Sequence, residues 1–152
     1  RDFSIFDVDF VPIESERRVD PQLSAMNFFG VVQYVGVNRA SDWAAYYREL
    51  FGFQLIPDDE RFGIMPKGTL MRSACGLFLW QLVEPDVSVV VDEAPEQLQR
   101  IGLGVRDVEA TVDLLKQRGI DFVDVDKLHP DDRGALTRPM LGTVSFELVH
   151  QP

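Results

Sequence analysis

The stretch Leu98-Gln99-Arg100-Ile101-Gly102-Leu103-Gly104-Val105 runs directly into Asp107-Val108-Glu109-Ala110. It reads as a strand feeding a helix that ends at Arg118. An earlier stretch, Val32-Gln33-Tyr34-Val35-Gly36-Val37, has the same form and precedes a helix from Asp42 to Phe51. Counted back from the glycine after each helix, the two agree without a gap. Gln33 to Gly52 is 19 residues, and so is Arg100 to Gly119. On this count Gln33 and Arg100 hold equivalent positions in an internal repeat. The closing strands match as well. Phe78 to Glu84 aligns with Val144 to His150, which sets Gln81 against Glu147, 66 residues later. Agreement at both ends of each copy gives two βαβββ units, 29–84 and 98–150, and an α+β fold.

Within the first unit the expected strands are Phe29 to Val37, Phe53 to Ile56, Gly68 to Arg72 and Leu77 to Val83. They are rich in β-branched and aromatic residues. Ser41 or Asn38 is the candidate helix cap, and Gly52 the stop. Trp43, Tyr47, Leu50 and Phe51 fall at helical spacing and read as one inward apolar face. Acidic residues in Pro57-Asp58-Asp59-Glu60 read as a solvated turn. Val87 to Val91 reads as a short edge strand before an acidic linker. In the second unit Asp107 caps a helix with Val108, Val112 and Leu115 inward and Gly119 at its end. Asp121 to Asp124, Ala135 to Met140 and Val144 to His150 are the remaining strands, with Gly142 at the last turn. A polar segment from Val125 to Gly134 carries His129.

Residues 1–28 form a connector in this reading: a short strand, Phe3 to Phe10, then the charged run Glu14 to Arg18. It implies an upstream region, since the sequence opens on Arg. Residues 29–152 are then one domain of ordinary size for a chain of 152 residues. The net charge of −10 argues against nucleic acid or an anionic membrane surface as partner. No stretch reaches the ~20 apolar residues of a membrane span, and no signal-peptide pattern opens the chain. A single cysteine, Cys75, rules out an internal disulfide and fits a reducing, cytoplasmic setting. Beside an apolar run and far from any histidine in sequence, Cys75 reads as a small buried residue.

Paired βαβββ units of this kind resemble the vicinal oxygen chelate superfamily, which includes glyoxalase I, extradiol dioxygenases and bleomycin-resistance proteins. Within it the chain resembles most the C-terminal half of 4-hydroxyphenylpyruvate dioxygenases. Ser4 to Val11 is similar to that family's connector. Asp42-Trp43-Ala44-Ala45-Tyr46-Tyr47-Arg48-Glu49-Leu50-Phe51-Gly52-Phe53 is similar to its helix. Leu136-Thr137-Arg138-Pro139 and Phe146-Glu147-Leu148-Val149 resemble its closing strands. The resemblance implies a cupped sheet holding Fe(II) between two histidines and a glutamate.

Carried onto this chain, those ligand positions are Gln33, Arg100 and Glu147, with Gln81 as the fourth position of some relatives. A one-residue shift would bring in Tyr34. Only Glu147 is a good Fe(II) ligand, because arginine has no lone pair to give. His150, three residues past Glu147, belongs on the opposite strand face. The dioxygenases' substrate glutamine is also missing before Thr137, where Gly134 and Ala135 stand.

The expectation is therefore a cup without metal or other cofactor. Arg100 pairs with Glu147 in bidentate fashion, or binds a small carboxylic acid with Gln33 and Gln81 as hydrogen-bond partners. The resemblance extends to forms fused behind a 3-dehydroshikimate dehydratase-type domain in bacterial aromatic catabolism. That makes this domain an accessory, non-catalytic part of a larger polypeptide. Two other readings stand beside it. One is an active Fe(II) dioxygenase on a 2-oxo acid. The other is a bleomycin-resistance-type binding protein, and a homo-oligomer is compatible with each.

Overall fold

A computed structural model describes residue 23 and residues 25–60, 68–85, 96–123 and 134–151 of the chain. The expected strands at Phe3 to Phe10 and Val87 to Val91 lie outside the described residues, as do Asp124 and the loop around His129.

Among the described residues seven strands form one sheet: β1 (Asn27–Tyr34), β2 (Gln54–Leu55), β3 (Thr69–Arg72), β4 (Leu79–Val83), β5 (Gln97–Val105), β6 (Gly134–Leu136) and β7 (Ser145–His150). Their order is β2-β3-β4-β1-β5-β7-β6. Helix α1 (Ala40–Phe51) follows β1, and α2 (Val108–Gln117) follows β5. The first unit thus contributes four of these strands and the second three, and the first strands of the two units meet antiparallel near the centre. The strand expected over Asp121 to Asp124 is reduced to one bridge, Phe122 to Thr137.

Each helix packs on its own half of the sheet. Ala40, Ala44 and Tyr47 of α1 close over Val35, Phe53, Met71 and Leu82. Val108 and Val112 of α2 close over Val105, Phe122, Ala135 and Leu148. The inward face of α1 differs from the one read from sequence: Leu50 and Phe51 are 62% and 55% exposed. Small Ala40 and Ala44 take the inward line instead, because the bulky rings of Tyr47, Trp43 and Trp80 already fill the space above the sheet.

Expected helix ends are found at three of four termini. Gly52 adopts φ 68 and its N–H bonds Arg48 O, and Gly119 adopts φ 84. Asp107 accepts the Ala110 N–H at 2.9 Å. At the start of α1 neither Ser41 nor Asn38 is the cap. Arg39 holds that position with no side-chain capping bond, and the Ala40 N–H is taken by the distant Glu84 carboxylate at 2.9 Å. A carboxylate at a helix N-terminus is favoured by both hydrogen bonding and the helix dipole. Cys75 is also exposed, not buried, and its thiol lies 3.3 Å from Ser73 Oγ in the β3–β4 turn.

Register reveals a two-fold relation between the units. Gly30 lies opposite Gly102, Val31 opposite Ile101 and Val32 opposite Arg100. Exchanging the strands with a displacement of 70 residues, that from Val31 to Ile101, maps these pairs onto themselves. The same displacement maps Phe28–Leu103 onto Gln33–Leu98, and it interchanges the two bulge residues, Phe29 and Gln99. The pseudo-two-fold axis therefore passes between Val31 and Ile101.

Candidate functional site in the sheet cup

Side chains alternate across a strand, so each central strand presents one row to its helix and one to the opposite, concave face. Val35 and Leu82 belong to the core under α1. Gln33 pairs in register with Leu82 and shares that side. Its Oε1 accepts from the Tyr47 hydroxyl at 2.7 Å and from the Trp80 indole N–H at 3.1 Å. Gln33 is therefore a buried core amide, bonded as burial requires, and it does not reach the cup. Burial, with Tyr46 close by, pushes the Tyr47 hydroxyl above its ordinary value. Tyr47 is thus a hydrogen-bond donor to Gln33 at neutral pH rather than an acid–base group.

The equivalence of Gln33 with Arg100 is overturned by the same register. The two-fold mate of Arg100 is Gly30, and that of Gln33 is Leu103, which packs under α2. The count failed because the strand-to-helix connection is longer in the first unit, 35–39 against 106–107, and α1 has 12 residues against 10 in α2. The equivalence of Gln81 with Glu147 holds. Gln81 lies between Val32 and Leu70, and Glu147 lies between Gly102 and Leu136, the two-fold related places.

Arg100 and Glu147 do come together on the concave face. Arg100 Nη1 lies 3.6 Å from Glu147 Oε2, with 13% and 18% of the side chains exposed. The pair is not bidentate, as 3.6 Å exceeds hydrogen-bond range. Instead, Arg100 Nε donates to Gln99 Oε1 at 2.6 Å. No local signal in the sequence marks Gln99 as a site residue. Its place as the extra residue of a bulge, which turns its side chain toward its neighbour, is set by pairing between distant strands.

Gly30, the first unit's counterpart of Arg100, has no side chain to offer. A Cβ there would lie 2.5 Å from the carbonyl oxygen of Leu79. Gly102 is less crowded, with its nearest neighbour at 3.4 Å, the Gly30 oxygen. Gln81 lies on the concave face across the axis from Glu147. His150 ends β7 opposite Val105 and is exposed. Among the described residues, no three His, Cys, Asp or Glu side chains gather as a metal site would require.

What the concave face offers is a part-buried cation beside a part-buried anion, between apolar Val32 and Leu136. Such a pair can hold charged or polar groups in a setting where water screens them less than in bulk. Cys75, whose thiol is held below its ordinary value by the Ser73 hydroxyl and then the Leu77 N–H, sits in an exposed turn and is not among these residues.

Comparisons with known proteins agree with this architecture. Among curated protein sequences none matches significantly. Methylmalonyl-CoA epimerase from Mycobacterium tuberculosis superposes with TM-score 0.61 and 22% identity, over 82% of this chain and 87% of that one. A xylose isomerase-like TIM barrel/4-hydroxyphenylpyruvate dioxygenase fusion protein gives 0.59 and 13%, over 83% of this chain but 26% of that one. A mutant 4-hydroxymandelate synthase from Streptomyces coelicolor gives 0.60 and 17%, over 92% and 51%. At such identities these likenesses speak for the fold alone. The family model for the Glyoxalase/Bleomycin resistance protein/Dioxygenase superfamily matches residues 29–139. With its paired units, central two-fold register and concave face, the chain belongs to that superfamily.

Proposed function

We propose that this is a metal-free, ligand-binding domain of the 4-hydroxyphenylpyruvate dioxygenase-like kind, in which Arg100 anchors a small carboxylic acid. The observation that carries the reading is the Arg100–Glu147 pair on the concave face. The family resemblance expects an Fe(II) triad of two histidines and a glutamate there. The residues present do not fit one. Arg100 has no lone pair for a metal, and its mate Gly30 has neither a side chain nor room for a Cβ beside Leu79. Among the described residues of the concave face, Glu147 alone is a good Fe(II) ligand, and Gln81 would add at most a weak amide oxygen.

The setting we propose is an accessory part of a larger enzyme of bacterial aromatic catabolism, with a 3-dehydroshikimate dehydratase-like domain carrying the reaction. Similarity to a barrel–dioxygenase fusion protein supports that context. In it, the cup recognises an acid by an oriented guanidinium, which suits planar carboxylates.

Small aromatic acids such as benzoate are expected to raise the melting temperature of the purified protein, and Arg100→Ala to abolish the rise. Elemental analysis of the same protein is expected to give far less than one iron per chain. Stoichiometric iron that disappears in Glu147→Ala would overturn the metal-free reading and favour an Fe(II) dioxygenase.

A further inference from the structure

Arg100 and Glu147 are close but do not saturate each other. At 3.6 Å they share no hydrogen bond, and the guanidinium is oriented by Gln99 through Nε. The terminal nitrogens of Arg100 and the carboxylate of Glu147 are thus held side by side, each with part of its surface open. A simple carboxylate placed against Arg100 would bring a second negative charge up to Glu147, and like charges in a part-buried site oppose one another. A ligand carrying both charges removes that conflict. Its carboxylate meets the guanidinium and its ammonium meets Glu147, and the net charge of the cup is unchanged.

The spacing suits groups borne on one carbon. Val32 lies across the ladder from Arg100, and Leu136 from Glu147, both buried and apolar, while the buried Ser145 stands beside Arg100 on β7. We propose that the cup binds an apolar α-amino acid as its zwitterion, an inference that rests on the reading of Arg100 as a carboxylate anchor. Glu147 is then the residue that selects the amino acid over the corresponding acid.

Three probes separate the contributions by calorimetric titration: L-phenylalanine, 3-phenylpropanoate without the ammonium, and 2-phenylethylamine without the carboxylate. Phenylalanine is expected to bind about tenfold or more tighter than either, the worth of one charge-assisted hydrogen bond. Glu147→Gln, which keeps size and shape, is expected to remove the preference for phenylalanine over 3-phenylpropanoate. Arg100→Gln is expected to weaken both acids. If Glu147→Gln does not fold, the ranking of the three probes on the unaltered protein decides. Equal or tighter binding of 3-phenylpropanoate overturns the zwitterion inference and leaves the carboxylate anchor standing. Binding of neither acid overturns both.

Discussion

At the scale of single residues, Gly30 decides more about the cup than any charged side chain in the first unit. It lets β1 approach the Leu79 carbonyl more closely than any residue with a Cβ could. Gly30→Ala is therefore expected to destabilise the fold by about 1–3 kcal/mol, the usual cost of forcing a methyl into packed space. Gly102→Ala, with its nearest contact at 3.4 Å, should cost less. Urea unfolding midpoints of the two variants test this, and equal midpoints would mean that the strands part easily at Gly30. Gln33 teaches the complementary point. The repeat count and the family's ligand position point to it as a site residue, yet its amide is absorbed by Tyr47 and Trp80 in the core under α1.

At the scale of elements, α2 was legible and α1 only in part. Asp107, Val108, Val112 and Gly119 carry local signals for a cap, a face and a stop, and each is found in that role. Asp107→Ala should cost about 1 kcal/mol, the typical worth of an N-cap, seen as a lower melting temperature with the cup unchanged. A wild-type melting temperature in that variant would show that the Ala110 N–H finds water at no cost. The start of α1 could not be read this way, because its N-terminal N–H is satisfied by Glu84, which is 44 residues away in the chain. Its inward face could not be read either. Leu50 and Phe51 have the right spacing, but the space inward is occupied by rings from β4 and from the helix itself.

At the scale of the whole molecule, the two units are joined by the central strand pair and by Glu96. Just before β5, the Glu96 carboxylate accepts the Gly36 N–H at 3.0 Å, the Trp43 indole at 2.9 Å and Arg39 Nε at 3.2 Å. All three donors belong to the connection and first turn that link β1 to α1. The Gly36 N–H first, then Trp43 and Arg39, hold the Glu96 carboxyl below its ordinary 4.5. A carboxyl depressed in the folded state stabilises it above the unfolded value, and that contribution is lost as the pH falls through the folded value. Acidification from about pH 6 to about pH 3 should therefore lower the unfolding midpoint of the native protein more steeply than that of Glu96→Gln. Parallel slopes would show that this clasp does not hold the units together.

Residue order alone carries the two-unit plan, the α+β class and the match of Gln81 with Glu147. Those features follow from hydrophobic periodicity, from glycine stops and from residue order, which are local or repeat at a fixed interval. Which residue of the first unit is the two-fold equivalent of Arg100 was settled by strand pairing in three dimensions. The answer, Gly30 and not Gln33, depends on a longer connection, on α1 having 12 residues against 10, and on two symmetric bulges. A one-residue slip turns a side chain to the other face of a sheet, and nothing in the local sequence records where such slips accumulate.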